Sequence, residues 1–224
     1  MPRITSTYHS KIYRGFKEIE PNDYHSLVRY YEAYESKIKR LEFSEFFELL
    51  IIYTEALFEV GAYQNHSLMV DAAVEISILN NIKFFNKKDI YCDLLFKKAA
   101  SCYHLMRYDE AVHILRELIK IDPYNDMNIR FLNKCMLRKK PKFVRSAQAV
   151  SVIFFLISAL IISIELIVIR PLYEMHSSSV EFYRNTFFLM GVFILGGTEV
   201  LNRLKVKKKI QKFVAESKKR KVIK

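Results

Sequence analysis

Side chains suited to catalysis or metal binding are spread along this 224-residue sequence rather than gathered into a motif. Six histidines and three cysteines supply the usual metal ligands and nucleophiles, and the cysteines are Cys92, Cys102 and Cys135. The sequence contains no C-x-x-C pair, H-E-x-x-H run, G-x-S-x-G turn or glycine-rich phosphate loop, the patterns of zinc sites, hydrolases and nucleotide-binding enzymes. We therefore predict no catalytic residue, no metal site and no cofactor, and a protein that is not an enzyme.

Two glutamates are unusual because each lies inside an apolar stretch. Glu165 lies within residues 147–169, and Glu199 lies within residues 185–201. A charged side chain is costly at the centre of a bilayer, and the cost is much smaller near the head groups. Since the glutamates lie towards opposite faces of a membrane, they are not expected to pair with each other. Two roles are open for each: contact with the head groups, or a polar contact at a pore or an oligomer interface.

The apolar stretches themselves predict a transmembrane hairpin. A helix rises about 1.5 Å per residue and the hydrocarbon core of a bilayer is about 30 Å thick. The 23 residues of 147–169 are therefore enough to span it, and the 17 residues of 185–201 lie at the short end of the range. Small residues in both spans, such as Ser158 and Gly191, are compatible with close packing of the hairpin or with a homo-oligomer. We predict three parts: a soluble domain at 1–140, the hairpin at 141–202 and a basic tail at 203–224.

The net charge of +12 is concentrated beside these two stretches. Residues 130–145 contain seven basic side chains and no acidic one, residues 203–224 contain eleven basic and one acidic, and residues 1–129 have a net charge of −3. Because basic residues favour the cytoplasmic side, we expect both termini in the cytoplasm and the loop at 171–184 outside, in the inner membrane if the protein is bacterial. The flanks also predict contact with anionic lipids and, since they border apolar spans without a recognition fold, no nucleic-acid partner.

The part before the hairpin has the pattern of an all-α domain. Only five glycines and five prolines occur in the whole sequence, and apolar residues recur three and four positions apart, which is the period of a helix. Ser44 and Asp89 stand where they can cap helices, and Gly61 and Pro123 stand where helices can end. We predict six helices, at about 23–41, 44–61, 65–79, 89–106, 108–121 and 126–140.

The segment AASCYHLMRYDEAVHILRELIKIDPYN, within residues 94–125, resembles a tetratricopeptide repeat, a helix–turn–helix unit of about 34 residues. Ala99 matches the small residue of the first helix, Tyr108 the aromatic residue of the turn and Ala111 the small residue where the two helices cross. Leu115 follows at a packing position, and Pro123 closes the unit. The resemblance implies that the small residues let the helices approach while the large ones fill the space between units.

A weaker second copy precedes this segment. Aligning Tyr63 with Tyr108 places Gly61 opposite Met106, where the family usually has glycine, and gives a spacing of 45 residues, with the excess in the connection 80–88. The flanking helices are expected to complete the stack, because such units need neighbours to bury their faces. The alternative is an ordinary helical bundle with one repeat-like turn.

The resemblance also implies a protein partner, since tetratricopeptide domains bind peptides on the surface formed by their first helices. Phe96, Ala100 and His104 stand where the subclass that binds chaperone C-termini needs polar groups, so an aromatic or apolar partner segment is more compatible. The alternative is that Phe96 and Tyr103 only pack against neighbouring helices. The candidate surface comprises Asp93, Phe96, Ala100, Tyr103 and His104.

These observations predict a membrane-anchored adaptor or scaffold that recruits a protein partner to the cytoplasmic membrane face. The runner-up is a small membrane effector, in which the two spans form a pore or disrupt the bilayer under the control of the helical domain. Glu165 and the small residues of the spans favour the effector. The repeat-like motif favours the adaptor, because such domains work chiefly by binding.

Overall fold

The computed structural model describes residues 10–85, 87–169 and 177–222. These residues are almost entirely helical, which confirms the predicted all-α class, and their only strands form a two-residue antiparallel hairpin, β1 (Phe84–Phe85) with β2 (Lys88–Asp89). A π-helical turn, Glu165–Ile169, extends the eighth helix. The α-helices are α1 (Lys11–Lys17), α2 (Tyr24–Ile38), α3 (Phe43–Glu59), α4 (Tyr63–Leu79), α5 (Ile90–His104), α6 (Tyr108–Ile121), α7 (Asp126–Arg138), α8 (Lys142–Ile164) and α9 (Ser177–Val222).

The chain divides into two compact units, one up to Asn128 and one from Ile129 onward. The division falls inside α7, whereas the sequence placed the end of the soluble domain at residue 140. Most of α7 therefore groups with the apolar helices that follow it.

In the first unit, each helix from α1 to α6 packs against the next one along the chain. Ion pairs link helices further: Lys97 on α5 lies 2.9 Å from Glu55 on α3, and Lys98 on α5 pairs with Asp71 on α4. This is the repeat-like packing that the sequence predicts. The largest fully buried side chains of this unit are Phe16, Ile38, Leu49, Leu57, His66, Val70, Leu115, Leu118 and Ile119.

Side-chain caps account for the start of α2 and α5. The Asp23 and Asp89 carboxylates accept hydrogen bonds from the backbone N–H of Ser26 (3.1 Å) and Cys92 (3.0 Å), which satisfies donors of the first turn. Ser44 does not cap α3, because that helix already begins at Phe43 without a side-chain cap. The sequence also missed α1, whose seven residues are too few to show a helical period.

The turns after α3 and α5 have the same backbone conformation, as the proposed repeat alignment requires. Gly61 and Met106 both have a positive φ, +80° and +61°. The next residue in each turn donates a backbone hydrogen bond to a carbonyl five positions earlier, from Ala62 to Leu57 (2.9 Å) and from Arg107 to Cys102 (2.8 Å). This is the Schellman arrangement that ends many helices.

The turn after α4 repeats that geometry and leads into the extra residues of the 45-residue spacing. Asn81 has a φ of +56°, and the Ile82 N–H donates to the Ser77 carbonyl over 2.8 Å. The hairpin of β1 and β2 occupies the connection that follows. The sequence alignment placed the extra residues of the 45-residue spacing in the connection 80–88. In the structure this connection forms the β1–β2 hairpin.

The second unit contains two helices that are long and apolar enough to cross a membrane by length and composition. These candidate spans lie within Lys142–Ile167 and Val180–Lys221. An 18-residue window in each has a mean hydropathy of 2.7 and 1.4, and only 17% and 11% of that window is buried. The exposed apolar side chains of α8 and α9 are the surface expected for helices in lipid.

The basic tail is helical throughout its described part, because α9 continues without a break from Ser177 to Val222. Its 46 residues extend over about 69 Å at the usual rise per residue, more than twice the thickness of the hydrocarbon core. The basic residues of the tail therefore continue the same helix as the second apolar segment. Residues 171–176 of the predicted outer loop and residues 223–224 of the tail lie outside the described residues.

Candidate partner-binding surface

The predicted partner-binding residues lie along one face of α5, at intervals of three and four positions. Phe96, Ala100 and Tyr103 are half-buried, and His104 is exposed at the end of the helix. Asp93 is engaged by Lys97, whose Nζ lies 3.3 Å from its carboxylate and 2.9 Å from that of Glu55 on α3. The face is therefore mainly apolar and aromatic, with its charges paired at one end.

The aromatic end of this face is a cluster of rings from four helices, α3 to α6. The His104 imidazole stacks on the Tyr63 ring with centroids 4.3 Å apart, and it meets the Phe58 ring edge-on at 6.2 Å. Tyr103 meets Tyr108 edge-on at 5.5 Å. These contacts hold the rings in place. Tyr103 and His104 therefore pack against neighbouring rings, and part of each side chain remains accessible.

The residues that carry the repeat resemblance lie in the interior. Ala99, Ala111 and Leu115 have no exposed surface, and Pro123 is buried as well. Tyr108 is half-buried at the first position of α6. Alanine at the first two positions lets the helix backbones approach closely, and a larger side chain there would force them apart.

His66 is the most unusual polar side chain of the first unit. It lies on α4 with no exposed surface, its Nδ1 is 2.7 Å from the Ser101 hydroxyl of α5, and its Nε2 has no hydrogen-bond partner among the described residues. Burial, helped by the nearby Lys97 ammonium, lowers the pKa of His66 to about 4. The imidazole is therefore neutral at physiological pH and holds α4 against α5.

The described cysteine and acidic side chains do not form a metal-binding centre. Among the described residues no group of three histidine, cysteine or acidic side chains has metal-binding geometry. The three cysteines are free thiols, Cys102 and Cys135 are buried, and burial together with Asp89 raises the pKa of Cys92 to about 11. Burial also raises the pKa of Cys102, so the Cys92 and Cys102 thiols are protonated at neutral pH, which makes them poor nucleophiles.

The two glutamates of the apolar helices have different environments. Glu165 lies where α8 passes into the π-helical turn; its side chain is 1% exposed, and its carboxylate lies 2.8 Å from the guanidinium of Arg184 on α9. Glu199 pairs with Arg203 one turn further along α9 at 3.3 Å, on an exposed face. The structure therefore brings Glu165 into contact with a residue that the sequence assigned to the loop, and it does not bring the two glutamates together.

Three residues with prominent contacts in the structure were not predicted from the sequence: His66, Ser101 and Arg184. The repeat alignment contained a signal for the first, since pairing Tyr63 with Tyr108 places His66 opposite the buried Ala111. Arg184 gave no comparable signal, because its register against Glu165 depends on how the chain turns between α8 and α9.

The structure defines a class by architecture: helices with repeat-like packing, followed by two long apolar helices. No protein-family model, curated protein or solved structure matches the chain. Membership of the tetratricopeptide family therefore stays a resemblance, and the function has to be argued from the residues of this chain.

Proposed function

We propose that this protein is a membrane-anchored adaptor, which holds a protein partner at the cytoplasmic face of a membrane through its first unit. The observation that carries the proposal is the accessible aromatic and apolar face of α5, within a repeat-like stack whose chain continues into two membrane-length helices. Proteins with such stacks use their extended surfaces chiefly for binding.

The chemistry of the α5 face favours an apolar or aromatic partner segment. Phe96 and Tyr103 offer large rings, and Ala100 leaves space between them. Rings of this kind contribute most of the binding energy of protein interfaces, typically about 1–2 kcal/mol or more when truncated to alanine. The paired charges of Asp93 and Lys97 at the other end suit the polar rim of such an interface.

The orientation belongs to the same proposal. The basic residues of 130–145 and 203–224 favour the cytoplasm for both of these flanks, and therefore for the first unit. Their side chains would also contact anionic head groups, with about 1 kcal/mol for each lysine or arginine near the surface.

Purification of the tagged full-length protein in mild detergent, with quantitative mass spectrometry of bound proteins, tests the adaptor. We expect a partner that is retained by the wild type and lost from the variant that carries Phe96→Ala with Tyr103→Ala. The matched control, Ile78→Ala with Leu79→Ala, removes two exposed apolar side chains of α4 and should keep the partner. Equal retention by both variants, with helical content unchanged by circular dichroism, would overturn the role of the α5 face.

A second candidate function is a membrane effector, and the buried pair of Glu165 and Arg184 favours it, because ionisable groups inside membrane helices often belong to conduction or assembly. A membrane-potential dye separates the two candidates. Depolarisation on expression, abolished by Glu165→Gln, supports the effector, whereas an unchanged potential supports the adaptor.

A further inference from the structure

A small acidic pocket lies between α2, α3 and α4, and it includes no residue of the α5 face. Its volume is about 240 Å³, below the range of roughly 300–1,000 Å³ that is usual for small-molecule sites. The space therefore fits one long side chain better than a cofactor or a metabolite. The lining residues are Tyr31, Glu32, Glu35, Tyr53, Asn65, Leu68 and Met69.

Two stacked tyrosines form a rigid wall of this pocket. The rings of Tyr31 and Tyr53 are nearly parallel, with centroids 3.9 Å apart, and both residues are buried. Burial, reinforced by the Glu32 carboxylate, raises the pKa of Tyr53, so its hydroxyl stays protonated. That hydroxyl donates a hydrogen bond of 3.2 Å to Glu32 and fixes the carboxylate at the pocket.

The pocket has an unbalanced negative charge. Glu35 forms an ion pair with Lys39 on the next turn of α2, but the only described contact of Glu32 is the Tyr53 hydroxyl, which is neutral. No lysine or arginine lines the cavity. The Glu32 carboxylate attracts a cation by its charge.

The rim adds an apolar contact. Leu68 is 62% exposed and lines the cavity, so a large apolar side chain lies at its edge. Asn65 stands one turn earlier on α4 and offers an amide to the backbone or side chain of a bound segment. The pocket and its rim together therefore match a cationic side chain with an apolar neighbour.

We propose that this acidic tyrosine pocket binds an arginine side chain in a basic, partly apolar segment of the protein partner. Arginine is the best fit because its planar guanidinium binds carboxylates through two parallel hydrogen bonds. The proposal rests on the adaptor function and adds a second contact, on α2 to α4, that selects the partner by charge.

Arrays of short synthetic peptides test the pocket directly, with the full-length protein in detergent micelles as the probe. Each peptide contains an arginine beside leucine, and its matched peptide contains citrulline, which has nearly the same shape without the charge. We expect capture of arginine peptides to exceed capture of citrulline peptides about tenfold, the usual effect of losing a charge-assisted hydrogen bond. Glu32→Gln should remove this preference.

The control variant Glu75→Gln removes the same charge from an exposed position of α4 outside the pocket. It should leave the arginine preference unchanged, and Leu68→Ser should weaken capture of both peptide classes. Equal capture of arginine and citrulline peptides, or an equal loss in Glu32→Gln and Glu75→Gln, would overturn the proposal. Arginine-dependent capture that survives Glu32→Gln but is lost in Phe96→Ala would also overturn it, while leaving the adaptor function in place.

Discussion

Met106 shows at the scale of a single residue how this chain departs from the pattern that it resembles. It stands in the left-handed region, with a φ of +61° and 76% of its side chain exposed, where the preceding copy has Gly61. A residue with a Cβ pays about 1–2 kcal/mol for that conformation. The side chain gains little in return, because it is largely in solvent.

Met106→Gly is therefore expected to stabilise the first unit by about 0.5–1 kcal/mol. The substitution relieves the backbone strain, and the greater conformational freedom of glycine in the unfolded chain offsets part of that gain. Met106→Ala, which removes the side chain but keeps the strain, should give no comparable gain. Urea denaturation followed by tyrosine fluorescence measures both, since all but two of the 14 tyrosines, Tyr173 and Tyr183, precede residue 129. An equal effect of the two variants would mean that the backbone conformation is not the cause.

His66 makes the stability of the first unit depend on pH. Its pKa of about 4 in the fold lies below the usual 6.5, so the unfolded chain binds a proton more readily than the folded one. Its contribution is therefore fully present at higher pH and is lost as the pH falls from 6.5 towards 4. Between pH 7 and pH 5 the free energy of unfolding should decrease by about 2 kcal/mol.

His66→Asn removes the titrating group and keeps a polar atom near the position of Nδ1, facing Ser101. The decrease in the free energy of unfolding between pH 7 and pH 5 should nearly disappear in this variant. It should persist in His113→Asn, which changes an exposed histidine. Urea denaturation at a series of pH values gives the comparison. If the two variants had the same pH dependence, the decrease would come from groups other than His66.

The helices differ in how far they could be predicted from sequence, and each difference has a physical cause. The bounds of α6 were predicted to the residue, because an aromatic turn residue starts the helix and Asp122–Pro123 ends it. The Ser44 cap was wrong because side-chain type alone does not fix the first residue of a helix. The α5 face was predictable as a periodic stripe, whereas the pocket of Tyr31, Tyr53 and Glu32 depends on contacts between three helices.

The contact between α8 and α9 rests on one buried ion pair as well as on apolar packing. The ring of Phe155 lies 2.8 Å from where a Cβ on Gly191 would be, so the glycine leaves room for that ring, and Glu165 contacts Arg184 nearer the turn. Removing one partner of a buried pair leaves an uncompensated charge and costs about 3–5 kcal/mol in proteins.

Arg184→Ala is accordingly expected to loosen this end of the hairpin. Hydrogen exchange by mass spectrometry, in detergent micelles, should show amides around Glu165 exchanging about a hundredfold faster, the equivalent of about 3 kcal/mol. The matched change Arg203→Ala removes an exposed pair with Glu199, which is worth less than about 1 kcal/mol, and should leave that region protected. Similar protection in both variants would show that the Glu165 contact does not hold the helices together.

At the scale of the whole molecule, the two units have different proposed roles. The first unit offers two separate surfaces, the face of α5 and the acidic tyrosine pocket, and the adaptor proposal uses both for one partner. The second unit supplies membrane-length helices and a basic helical extension. In the sequence, the basic residues cluster around the apolar spans, and 19 of the 24 acidic residues lie before them.

Replacing residues 147–201 with an unrelated two-span hairpin of the same orientation and length tests the adaptor most directly. The replacement should keep the helical phase of α9, because that helix runs unbroken into the basic extension. The account predicts that the protein still inserts, still retains its partner in the membrane fraction and still loses it on Phe96→Ala with Tyr103→Ala. Loss of partner or activity in the swapped protein, with expression and insertion intact, would contradict the adaptor and assign the function to the native spans.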